Sequence, residues 1–140
     1  MKDCQGILTS RQPILRVVPM PADVNPQGDV FGGWIMAQVD IAGAVLAMRR
    51  ACGRVTTVAV NSFLFKQPVT VGDVVSFFAE VVGIGQTSIQ VRVEVFAERN
   101  PAQPLTVKVT EAVLTYVAIN QHGEKRRLSE PRMSDDFSKG

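Results

Sequence analysis

Residues 28–50, GDVFGGWIMAQVDIAGAVLAMRR, constrain what this chain can fold into more than any other stretch. Two glycines open a long run with helical character. Within 34–48 only Gln38, Asp40 and Gly43 are not apolar, so no polar face is left for solvent. A helix that is apolar all round has to be buried. Arg49 and Arg50 suit the negative end of its dipole, and Gly53 stands where a C-cap glycine belongs. The expected helix therefore runs from about Gly32 to Ala51. A chain of 140 residues is one ordinary domain, so the cover for this helix has to come from its own remaining residues.

Those residues read as strands. ILRVVPM (14–20) is a short strand closed by Pro19 and Pro21, and PADVNPQGD (21–29) is turn chemistry. Strands are predicted over 54–65, 74–84, 87–99 and 105–120, with turns at 67–73 and 83–86 and a loop at 100–104. Residues 87–99 alternate most cleanly: Ile89, Val91, Val93, Val95 and Ala97 point one way, and Gln90, Arg92, Glu94 and Glu98 the other. In the last strand the apolar parity is odd at Leu105, Val107 and Val109, then even at Ala112, Leu114 and Tyr116. A bulge near Thr110 would reconcile the two runs. Short turns imply antiparallel neighbours. The expected fold class is α+β, an antiparallel sheet of about five strands wrapped around one long helix. Phe78, Phe96 and Tyr116 are expected to cover the outer face of that sheet, which implies oligomerisation.

Charge and cysteine content narrow the function. The net charge is +2 with interspersed signs, which gives no footprint for nucleic acid. Cys4 and Cys52 make neither a disulfide framework nor a metal-ligand spacing, so a reduced compartment is expected. The N-terminal residues carry no apolar signal core, and the 32–51 helix is too polar at Gln38 and Asp40 to span a bilayer comfortably. The expectation is a soluble cytoplasmic protein without membrane or nucleic-acid partners. Its domain should cover residues 8–128, with 129–140 a disordered tail.

The candidate chemistry lies on the helix. Gly32 and Gly33 leave the first backbone N–H groups bare at the positive end of the dipole, a ready place for an oxyanion. Asp40 follows Gly33 by seven residues, about two turns, so both lie on one face, about 10 Å apart along the axis. A thioester or ester carbonyl at the glycines, with water between it and the carboxylate, would suit hydrolysis with Asp40 as general base or nucleophile. A structural reading stands beside this one. A buried Asp40 could instead accept from a hydroxyl of the next strand, Thr56 or Thr57, and the glycines could simply allow close packing.

NPQGDVFGGWIMAQVD (25–40), GRVTTVAVNSFLFKQPVTVGDVV (53–75) and GQTSIQVRVEV (85–95) resemble the hotdog-fold acyl-CoA thioesterases. The likeness is greatest to the bacterial short-chain acyl-CoA thioester hydrolases and their animal relatives, the cytosolic acyl-CoA hydrolases. It spans residues 14–128 and fixes several spacings at once, including FKQPVTVGD from Phe65 to Asp73. The resemblance implies a sheet wrapped around the helix and dimers paired through the strand after it. It further implies a trimer of dimers, with the active site at the dimer interface. It makes Asp40 catalytic, with Asn25, or secondarily Asp29, assisting from the preceding loop and the Gly33 N–H stabilising the oxyanion. The substrate is acyl-CoA, and no metal or other cofactor is called for. Gly32, Thr57, Val58, Lys66, Ser88 and Arg126 complete the expected substrate-binding set. Asn61 departs from the pattern, because relatives more often carry an acidic residue there.

Two rivals follow. The acyl-carrier-protein dehydratases share the architecture but need a histidine facing the helix carboxylate, and the only histidine here is His122, after the last strand. A non-catalytic acyl-CoA binding or sensing module is the other, although a pure binder has no need of Asp40. No Ser-His-Asp or Cys-His set is evident as an alternative nucleophile. The coenzyme A phosphates need cations, for which Arg54, Lys66, Lys108 and the run Lys125–Arg127 are the candidates. Arg126 is favoured because the final strand should deliver that run to the sheet margin.

Overall fold

The computed structural model describes residues 11–128, so the expected tail and Cys4 lie outside the described residues. One helix, α1 (Gly32–Ala51), packs on a single antiparallel sheet of β1 (Leu15–Val17), β2 (Val55–Phe65), β3 (Val74–Ile84), β4 (Ser88–Arg99) and β5 (Leu105–Ala118). The spatial order is β1-β3-β4-β5-β2, which leaves β2 at one edge. A single 3₁₀ turn, Pro21–Asp23, precedes the helix.

The alternation of β4 does what its period requires. Ile89, Val91, Val93, Val95 and Ala97 are wholly buried against the helix with Val39, Ala42 and Ala47. The expected bulge is present, since Val95 pairs with Thr110 and Phe96 with Lys108, so Val109 has no partner opposite. The extra residue turns Val109 and Ala112 both into the core. Pro19 and Pro21 stop β1 early, at Val17.

Four expectations need correction. First, β2 and β3 are not neighbours: β2 pairs with β5, and the 66–73 connection carries the chain across the sheet. Turn length reports that a chain reverses, not which strand it then joins. Second, the helix is covered on one side only. Met36, Ile41 and Met48 are 45%, 49% and 42% exposed, because one sheet cannot close around a cylinder. Third, the left-handed C-cap residue is Cys52 (φ 55°), not Gly53. A Cβ on Gly53 would stand 2.7 Å from the Arg126 guanidinium, so that glycine serves close approach instead.

Fourth, Tyr116 is wholly buried on the helix side of the sheet and does not cover the outer face. Phe78 and Phe96 do lie on the outer face. They meet edge-on at 5.8 Å, with the Arg11 guanidinium 4.4 Å from the Phe78 ring centre, and both are buried. The open apolar surface is therefore elsewhere: the outer stripe of α1 and the adjoining Val58, Val60, Leu64 and Phe65 of β2.

Candidate active site

The helix begins without a side-chain cap. Phe31 is the N-cap residue, and its carbonyl accepts from the N–H groups of Trp34 (3.0 Å) and Ile35 (3.4 Å). The N–H groups of Gly32 and Gly33 have no acceptor among the described residues. The two glycines differ in purpose. A Cβ on Gly32 would touch the Phe65 ring at 3.3 Å, whereas Gly33 faces open space. Gly32 permits packing and Gly33 leaves room for approach.

Asp40 lies two turns on, half-buried in the single chain rather than fully buried, because its helix face is the uncovered one. Thr57 donates to its Oδ1 at 2.7 Å, the bond that the structural reading anticipated. The Tyr116 hydroxyl lies 2.9 Å from the Asp40 backbone carbonyl and 3.1 Å from Oδ1, and donates to them. Oδ2 accepts nothing among the described residues, so the structural bonds occupy one oxygen only. Burial, then the neighbouring carboxylate, push the Tyr116 phenol far above its ordinary range, so it remains a donor. Sequence reasoning missed Tyr116 at this site. The even parity it shares with Ala112 and Leu114 was the signal that it faces inward.

Beside the helix start is a cleft of about 310 Å³. Val30, Ile35 and Val69 form its floor, with Gly32, Phe65 and Lys66 along the wall and mouth. It reaches Gly32 but neither Gly33 nor Asp40.

Residues 27–102, more than half of the chain, match the profile of the thioesterase superfamily. The chain belongs to the thioesterase superfamily. It is 46% identical over 117 residues to the acyl-CoA thioester hydrolase YciA of Escherichia coli K12, covering 82% of this chain and 89% of that one. Cj0915, a hexameric hotdog fold thioesterase of Campylobacter jejuni, superposes with a TM-score of 0.81 at 42% identity, over 84% of this chain and 90% of that one. HI0827, a hexameric broad specificity acyl-coenzyme A thioesterase solved as an aspartate-to-alanine mutant, does so at 0.83 and 41%, over 90% and 91%. This thioesterase has the hotdog fold of these relatives.

The structure of the thioesterase places the remaining predicted residues unevenly. The Asn25 side chain is half-buried and accepts from the N–H groups of Gln27 and Asp29, both at 3.0 Å, so within one chain it shapes the 25–29 loop. Val58 is exposed at a bulge beside Thr57, where the β2–β5 register slips. Ser88 pairs with Val117, and Val117 with Thr56; this row alternates with Thr57, Tyr116 and Ile89, which sets Ser88 on the face away from Asp40. Arg126 lies at the far end of α1. It donates to the carbonyls of Ala51 (2.6 Å) and Ile119 (3.2 Å), which ties the helix C-terminus to the end of β5. Lys108 is held by Glu94 and Glu111, and Arg54 donates to the Gln121 carbonyl. Lys66, exposed at the mouth of the cleft, has no ion-pair partner among the described residues. Those residues include no cluster of three or more His, Cys, Asp or Glu able to hold a metal ion, and no helix long and apolar enough to cross a membrane.

Proposed function

We propose that this chain hydrolyses acyl-CoA thioesters to the free carboxylic acid and coenzyme A, with Asp40 as the reacting carboxylate. The observation that carries this reading is Asp40 itself: a carboxylate on an otherwise apolar helix face, anchored through one oxygen and free at the other. The relatives' names point to the same substrate class, and an aspartate was the residue replaced in the mutant HI0827 structure.

In the general-base form, Asp40 takes a proton from water and the water oxygen bonds to the thioester carbon. The Gly32 and Gly33 N–H groups hold the resulting oxyanion. Collapse breaks the C–S bond, and the leaving thiolate recovers the proton. In the nucleophilic form the carboxylate bonds to the thioester carbon as the C–S bond breaks and coenzyme A leaves as the thiolate; water then cleaves the mixed anhydride, which restores the Asp40 carboxylate, frees the acid and returns a proton to the thiolate. Neither form calls on a metal or cofactor.

The separation along the helix bears on assembly. About 10 Å lies between Gly33 and Asp40 of one chain along the axis, farther than one water bridges, so in this reading the glycine N–H groups that hold the oxyanion opposite a given Asp40 are those of a second copy. Both stand on the uncovered stripe with Met36, Ala37 and Ile41. A second copy laid on that stripe would exclude water from the thioester and could bring its own loop residues, Asn25 among them, to Asp40. A dimer is the minimal functional unit in this reading, and a trimer of dimers the full assembly. Lys66 at the cleft mouth, with Lys125 and Arg127, replaces Arg126 as the preferred phosphate contact, because the Arg126 guanidinium already serves the helix end. The cytoplasmic setting continues to rest on cysteine usage.

Asp40→Asn tests the assignment. The variant should keep the oligomer and lower thiol release from acyl-CoA by on the order of 10² or more. Turnover within about threefold of wild type would leave Asp40 a structural residue.

A further inference from the structure

We propose that Tyr116 is a positioning residue: with Thr57, its hydroxyl fixes Oδ1 of Asp40 and so selects Oδ2 as the oxygen that reaches the substrate or its attacking water. The inference rests on the hydrolytic reading of Asp40 and adds to it a second-strand device that aims the carboxylate.

The sheet register provides the geometry. Thr57 of β2 and Tyr116 of β5 are directly paired, so their side chains share the face that meets the helix. Their hydroxyls converge on one atom, Oδ1, at 2.7 and 3.1 Å. The Tyr116 oxygen also lies 2.9 Å from the Asp40 backbone carbonyl. A phenol has one proton, so it serves the carbonyl and the carboxylate in turn or shares between them. That carbonyl already accepts within the helix ladder, so it needs no second donor. Oδ1 does gain one.

Two residues that run against stability are explained together by this contact. A tyrosine with no exposed surface carries a hydroxyl into the core, where phenylalanine would fill the same space without a polar group to satisfy. Gly43, in the middle of a helix, costs about 1 kcal/mol relative to alanine. A Cβ there would stand 2.4 Å from the Tyr116 hydroxyl oxygen and 3.1 Å from the ring carbon that bears it. The helix gives up a side chain at Gly43 to admit the hydroxyl beneath Asp40.

The groups around the carboxylate are otherwise simple. β2 presents the Thr57 hydroxyl, β5 the phenol, and β4 the apolar Ile89 paired with Tyr116. On α1 the residues one turn either side of Asp40 are Met36, Ala37, Gly43 and Ala44, none of them charged.

Tyr116 is the only tyrosine in the chain, which makes the test specific. Tyr116→Phe keeps the ring and removes the oxygen. We expect an unchanged oligomer, KM within about twofold and kcat lower by about tenfold, the size of one lost hydrogen bond. A wild-type kcat in that variant, or a loss that falls on KM instead, overturns the proposal. Should Tyr116→Phe fail to fold, protein labelled with 3-fluorotyrosine reports the same contact by ¹⁹F NMR. A resonance that moves between wild type and Asp40→Asn supports the contact; one that stays in place overturns it. The two levels separate cleanly. An active Asp40→Asn removes the base itself, whereas an inert Asp40→Asn beside a fully active Tyr116→Phe removes only the positioning role.

Discussion

At the scale of single residues, the adjacent glycines at the helix start show how one residue type answers two demands. Gly32 sits under the Phe65 ring, where an added methyl would press at 3.3 Å, while Gly33 has nothing within 4 Å of that position. Packing alone would therefore admit alanine at 33, and helix propensity would favour it by up to about 1 kcal/mol. If the bare N–H is there to be approached, a methyl beside it obstructs the substrate. Gly33→Ala should thus raise Tm slightly in a thermal melt and lower kcat/KM for acyl-CoA by at least about tenfold, as expected for a hindered oxyanion donor. A variant both more stable and fully active would move the oxyanion site elsewhere. Asp40 shows the converse. The hydroxyl partner that the structural reading called for exists in Thr57, yet it accounts for one carboxylate oxygen and leaves the other open.

At the scale of elements, the 66–73 connection forms the wall of the cleft and is tied at several points. The Lys66 N–H bonds the Val109 carbonyl at 2.7 Å, and the Val30 N–H bonds the Val69 carbonyl at 2.7 Å, just before the helix start. Arg99, at the end of β4, donates to the Pro68 carbonyl at 2.9 Å and to Asp73 at 2.8 Å. Asp73, only 2% exposed, also accepts from the Thr70 N–H at 3.0 Å and so closes the turn. Removing one partner of such a pair leaves the other charge poorly compensated, a loss of about 3 kcal/mol. Arg99 has little to fall back on, since its Nε is buried without a partner among the described residues. Asp73→Ala should lower denaturant stability by about that amount, and KM should rise more than kcat falls, because the wall loosens while Asp40 is untouched. Unchanged stability would show that the strap carries no energy.

At the scale of the whole molecule, the uncovered apolar surface decides the assembly. β2 is an edge strand with Val58, Val60 and Leu64 exposed at 54%, 43% and 70%, next to the open stripe of α1. An edge of this kind invites pairing with another chain, and nothing on it is charged to prevent that. The relatives described as hexameric carry the same fold. A lysine at Val60 should block a second copy without disturbing the sheet, which already leaves that position partly in solvent. Val60→Lys should convert the assembly to monomers by light scattering and abolish turnover with it. An oligomer that survives the change would place the interface on another surface.

The local elements were legible because they rest on short-range periodicity. Helix limits of Gly32 and Ala51, a β3 of 74–84, the inward row of β4 and the bulge near Thr110 all follow from repeats of 3.6 or 2 and their interruption. Asp40, Gly32 and Gly33 could be singled out for the same reason, as polar or small residues set in an apolar pattern. The tertiary structure alone decided which strand lies beside β2, and hence that Thr57 meets Tyr116 across β2 and β5. Sheet order depends on contacts between residues far apart in sequence, and no local period encodes them. The structural partner of Arg126 was hidden on the same account: its exposed neighbours mark a charged run, but the Ala51 carbonyl that it meets is 75 residues away. The sequence determined that a carboxylate would stand on this helix; the register of two distant strands determined what holds it.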